Sequence, residues 1–131
     1  MANFYGHGRS NHFQVKDQAA FEEEMKKFPV DVYIEDDDRV CLLSQCEEGW
    51  AWNYYDRTEE DTLEINWNDI FKRHLMPDSV AVIIEVGNEK LRYLMGYAIA
   101  FNHLGQERSV HLDDIYDLAK PLGTDISHAT Y

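Results

Sequence analysis

The sequence predicts an α+β fold: a mostly antiparallel β-sheet with about three short helices, in a single domain. Three observations carry this. Apolar and polar residues alternate with period two in several short runs, and only three stretches recur at helical spacing. Strands and helices also do not alternate regularly, as a parallel sheet with crossover helices requires. A chain of 131 residues is enough for one core and too short for two. The domain is therefore predicted to span residues 1–131, with residues 1–11 and 124–131 as flexible ends.

The opening ANFYGHGRSN is small, polar and glycine-containing, so it reads as a loose lead into a first strand at residues 12–15. Asp17 then stands as N-cap before QAAFEEEMKKF, where Phe21, Met25 and Phe28 recur at i, i+4 and i+7 until Pro29 stops the helix. Val30, Val32 and Ile34 alternate with Asp31, Tyr33 and Glu35, and residues 40–43 and 50–55 continue as strands. Between them fall acidic turns: Asp36, Asp37 and Asp38, then Glu47 and Glu48 before Gly49, then residues 57–61. An antiparallel meander is the simplest account. One alternating set of its third strand faces the core, with Ala51, Asn53 and Tyr55 outward.

Asn66 caps a second helix with Asp69 three residues on, and Trp67, Ile70, Phe71, His74 and Leu75 form its apolar face up to Pro77. Residues 79–86 and 91–102 read as central strands, apolar on two faces, around a turn at Gly87 and Asn88. Residues 108–112 form a last strand. Asp113 caps a final helix with Ile115, Leu118, Ala119 and Leu122 inward, closed by Pro121 and Gly123.

Composition narrows the function. With 44% hydrophobic and 13% aromatic residues the chain is far from the composition of disordered proteins. Its 25 acids and 12 bases give a net charge of -13, unevenly spread: residues 31–64 hold twelve acids against Arg39 and Arg57, which is net -10. Direct nucleic-acid binding, which needs a basic footprint, is disfavoured, and a basic partner is the natural complement. Two cysteines are too few for a disulfide framework, and neither end resembles a signal peptide. The expected location is the cytoplasm, with reduced thiols and no membrane segment.

No catalytic motif stands out. Cys41 and Cys46 are too far apart for a tight metal knuckle, and Cys41 reads as a small apolar strand residue. His7, His12, His74, His103, His111 and His128 lie in no zinc-protease or nucleophile pattern, and no phosphate loop, dinucleotide fingerprint or nucleophile elbow is present. No cofactor or metal is expected. The only acids flanked by strongly apolar strands are Glu85 and Glu89, which leaves a small carboxylate-dependent enzyme as a distant alternative.

The stretch EVGNEKLRYLMGYAIAFNHLGQERSVHLDDIYDLAK, residues 85–120, together with RSNHFQVKDQAAF, residues 9–21, resembles a family of small acidic proteins of phages and other mobile elements. The resemblance carries no catalytic residues. It implies a bacterial host cell and, by analogy, an anti-defence or anti-CRISPR role, in which acidic proteins imitate the charge of DNA.

The leading expectation is thus a non-enzymatic acidic inhibitor that occupies the nucleic-acid-binding surface of a nuclease or CRISPR effector. Asp36, Asp37, Asp38, Glu47, Glu48, Asp56, Glu59, Glu60 and Asp61 supply charge, with Trp50 and Tyr55 as candidate aromatic anchors. The alternative is an accessory or regulatory module, a homodimer built on the aromatic sheet face, whose acidity only maintains solubility.

Overall fold

Tyr5–Ser10, strand β1, alternates Tyr5, His7 and Arg9 with the small residues Gly6, Gly8 and Ser10. That alternation places it in the middle of the sheet. On one edge it pairs antiparallel with β7 (Ala81–Glu89) along its whole length, Tyr5 opposite Asn88 through Ser10 opposite Ile83. Its other edge meets β3 (Val40–Ser44) at Arg9 and Leu43, and β4 (Glu48–Gly49) in parallel. The glycines serve close approach: a Cβ on Gly8 would stand 2.9 Å from the Trp50 backbone, and one on Gly6 2.8 Å from the Glu48 carbonyl oxygen. The loose lead expected for residues 1–11 is therefore a central strand from Tyr5 onward.

The computed structural model describes residues 4–129, and the expectations for 1–3 and 130–131 lie outside them. The sheet runs in the order β2 (Val30–Ile34), β3, β1, β7, β8 (Tyr93–Phe101), β9 (Glu107–His111), with β4 beside β1. Apart from the β1–β4 contact every pairing is antiparallel, so the α+β class holds. Several local expectations do not. Residues 12–15 make only two isolated bridges, Phe13 to Val40 and Val15 to Leu75, because both side chains plunge into the core. The third strand of the expected meander leaves the sheet: β5 (Asn53–Asp56) pairs with β6 (Asp61–Glu64) as a separate hairpin, while Trp50 and Ala51 are buried before it. Gly87 and Asn88 are strand residues, Gly87 lying against the Phe4 ring; the reversal comes at Lys90, whose φ is 52°.

Helices α1 (Gln18–Met25) and α2 (Trp67–His74) cover one face of the sheet. Each begins at the expected cap: Asp17 accepts from the Ala20 N–H at 3.1 Å, and Asn66 from the Asp69 N–H at 3.1 Å. Beneath them the core interlocks aromatic rings. Phe13 meets Phe21 and Phe71 edge-on at 5.8 and 5.4 Å, Trp50 lies 5.1 Å from Trp67, and Phe71 5.1 Å from Phe101.

The last helix, α3 (Asp114–Leu118), continues into the 3-10 turn Lys120–Leu122. Its expected inward residues Ile115, Leu118 and Leu122 are all exposed, the last two 72% and 91%. With five residues it is short, and none of its residues is buried. Asp113 makes no side-chain cap; the carboxylate of Asp114 instead accepts from the His111 N–H at 2.8 Å. Residues 124–129 form no helix or strand but fold back on α3, where the His128 ring stacks on Tyr116 at 4.0 Å. Among the described residues no helix is long and apolar enough to cross a membrane.

Candidate interaction surfaces

The acidic turns are built by short-range polar chemistry. Asp38 adopts a left-handed conformation, φ 62°, and Asp37 accepts from the Arg39 N–H at 3.2 Å, closing the β2–β3 reversal. Gln18 donates to the Asp38 carbonyl at 2.7 Å and ties this turn to the start of α1. In the β5–β6 reversal Asp56 accepts from the Thr58 and Glu59 N–H groups at 2.8 and 3.2 Å, and Glu60 supplies a second left-handed residue, φ 54°. Asp36, Asp37, Asp38, Glu47, Glu48, Glu59, Glu60 and Asp61 are exposed and Asp56 half-buried. Among the described residues only Asp37 of these acids has an ion-pair partner, Arg39 at 3.3 Å.

These turns do not meet at one point: the Asp36 to Asp38 turn lies at the end of β2, whereas Glu47 and Glu48 lie beside the central strand β1. Strand β2 is the edge of the sheet. Asp36 to Asp38 lie beyond one end of it, and Asp31 and Glu35 are exposed along it or at its end. At the other end the Gln45 N–H donates to the Pro29 carbonyl and the Gln45 side chain to Asp31, leading into Glu47 and Glu48. The β5–β6 hairpin packs at this same end, Tyr54 edge-on to Phe28 at 4.9 Å. Tyr55 is 60% exposed there and remains available as an anchor. Trp50 is not: it is 4% exposed, packed on Trp67, and its N–H donates to the Glu85 carboxylate.

The other chemical candidates are committed to structure. Glu85, 5% exposed, is held by that Trp50 N–H under Gly49, where even a Cβ would collide with its carboxylate. Tyr97 accepts from the Trp52 indole at 2.8 Å, and burial, aided by the negative charge of Glu85, pushes its hydroxyl pKa upward. Glu89 lies 4.0 Å from Arg92. Cys41 is buried, with the Arg9 guanidinium 3.2 Å from its sulfur. His74 approaches Glu24 at 2.6 Å. That carboxylate also receives a two-pronged bond from Arg73 at 2.9 and 2.7 Å, which holds its pKa down to about 2. Among the described residues no group of three or more His, Cys, Asp or Glu could hold a metal ion.

A second surface was not apparent from the sequence. Among the described residues α1 and α2 cover one face of the sheet, and much of the other is exposed. The registers put Asp31, Leu43, Arg9, Ile84, Ala98 and Val110 in one row across it, and His7, Val86 and Gly96 in the next, where Leu112 lies over Gly96. Ile84, Val86, Val110 and Leu112 are 47 to 60% exposed. Its sequence signal is the second apolar set of residues 79–86 and 91–102, read as buried on both faces although the chain has no further element to cover one of them.

Comparison with known proteins finds no matching family model, no matching curated protein and no matching solved structure.

Proposed function

We propose that the protein is a non-enzymatic acidic inhibitor whose β2 margin occupies the nucleic-acid-binding surface of a basic protein in a bacterial cell, a defence nuclease or CRISPR complex. The observation that supports this reading is the linear spread of nearly uncompensated carboxylates. Five residues of β2 extend about 16 Å and carry Asp31, with Glu35 and the three-aspartate turn following, and a duplex presents about ten charges over roughly 17 Å. A lysine- and arginine-lined channel that fits nucleic acid fits such a row. Its field would accelerate encounter at low salt and fade beyond about 8 Å at physiological ionic strength. Exposed Tyr55, in a cleft it shares with Asp56, Lys26, Lys27 and Arg57, gives an anchor of the kind that contributes heavily at protein interfaces.

The test is capture from lysate of a bacterial host with active defence systems, followed by competition. The wild type is expected to retain a basic nucleic-acid-binding protein at low salt, to lose it at high salt, and to displace nucleic acid from it. The triple variant Asp36→Lys, Asp37→Lys, Asp38→Lys is expected to fold normally, because these side chains are exposed, and to fail in both assays. Equal capture and displacement by the variant would sink the reading.

A further inference from the structure

We propose that the open sheet face is the interface of a homodimer, packed face to face against the same face of a second copy, with the α3 segment of each copy clasping the other. This inference does not rest on the inhibitor reading; it concerns the opposite side of the molecule from the helices.

The first support is charge. In a chain with 25 acids, the open face carries a carboxylate only at its β2 edge, where Asp31 lies opposite Leu43; across β3, β1, β7, β8 and β9 the registers turn Glu85, Glu89 and Glu107 to the helix side. What it presents is Ile84, Val86, Ala98, Val110 and Leu112, with Arg9 and Arg108 among them. A net charge of -13 opposes self-association by any acid-bearing surface, so this is the face on which two copies can meet with the least repulsion. Nucleic acid and anionic lipid surfaces, repelled by the same net charge, are poor occupants.

Area is the second support. At about 3.3 Å rise and 4.8 Å spacing, these five strands tile roughly 540 Å² per copy, so a pair covers about 1,080 Å² of sheet, at the threshold for a specific interface. The α3 segment adds to this. Ile115, Leu118 and Leu122 follow directly from β9 and Leu112, and they are 56, 72 and 91% exposed. The sheet face offers a shallow trough of about 220 Å³ lined by Ile84, Val86, Gly96, Ala98, Val110 and Leu112, nearly all of it apolar. In a two-fold dimer the same pairing is made twice, segment of one copy on face of the other. Apolar sheets stack about 10 Å apart in this way in β-sandwiches.

Sedimentation equilibrium of the purified chain decides it. The wild type is expected to form a particle of about twice the 15.4 kDa chain mass at micromolar concentration, and to keep it or strengthen it in high salt. Ile84→Glu with Val110→Glu places carboxylates at the centre of the face, and Leu118→Ser with Leu122→Ser strips the segment. Both pairs are expected to raise the dimer dissociation constant by about 100-fold or more. Every altered residue is about half or more exposed in the single chain, so both variants should keep the wild-type circular dichroism and leave the Cys41 thiol unreactive. A wild type that stays monomeric throughout, a dimer that salt dissolves, or folded variants that dimerise as the wild type does would each overturn the proposal. Because no partner protein is present, failure here leaves the inhibitor reading untouched, and its failure leaves the dimer untouched.

Discussion

Replacing Glu24 by Gln should weaken the protein in a pH-dependent way that follows from the carboxylate's surroundings. Glu24 joins α1 to α2: Arg73 grips it with two nitrogens at 2.9 and 2.7 Å, and His74 adds a third contact at 2.6 Å. The hydrogen bonds from Arg73, more than any other contact, depress its pKa from 4.5 to about 2. A shift of that size sets a ceiling of about 3.4 kcal/mol at about 1.36 kcal/mol per unit. Arg73 is nearly half exposed, so solvent screening brings the expected loss to about 1 to 2 kcal/mol. The sign is fixed by linkage: a carboxyl with a lowered folded pKa contributes stability that is complete above its unfolded value near 4.5. That contribution drains away as pH falls through the folded value near 2. Urea denaturation of wild type and Glu24→Gln should therefore show the full difference at pH 7 and a shrinking one at pH 3. Relief of repulsion among the other acids acts equally on both proteins and cancels in the comparison. A difference that is the same at pH 7 and pH 3 would refute the assignment of the shift to this cluster.

Two further outcomes test the packing. Gly8→Ala forces a methyl to within 2.9 Å of the Trp50 backbone in the middle of the sheet, so it should lower stability by about 1 to 3 kcal/mol in thermal or urea unfolding; an unchanged melting temperature would show that residues 48–50 do not lie against β1. Thiol labelling should be strongly ordered, half-buried Cys46 reacting in the native protein and buried Cys41, under Arg9, only on unfolding; equal rates would contradict the burial.

The elements that could be read from sequence are those whose causes are local. Asp17 and Asn66 announce their helices because a side-chain oxygen satisfies an N–H three residues on, and the β2–β3 hairpin follows from alternation and a three-aspartate turn. Strand β1 was missed because its glycines answer to Trp50 and Glu48, some 40 residues away in the chain, and nothing in the local composition says so. Trp50 looked like an anchor for the same reason: exposure of an aromatic strand residue is decided by what packs over it, here Trp67. The acids of the candidate site were legible one by one, since charged turn residues are seldom buried, but which of them lie at the β2 edge and which beside β1 required the pairing order of the whole sheet. In α3 the apolar stripe was legible and its direction was not, because a helical period names a face without naming what lies against it.

The position of β1 also bears on how the chain acquires its structure during synthesis. Arg9 pairs with Ile84, so β1 must wait for residues 81–89 to be made before its longest edge is satisfied. Closing so large a loop precedes any reward from the pairing, which slows folding. In the interval β1 has β3 and β4 beside it but its β7 edge stays open, and a chain halted before residue 89 holds a sheet split at its middle. Cotranslational folding of this protein is thus predicted to be a late, concerted event, set by the arrival of β7.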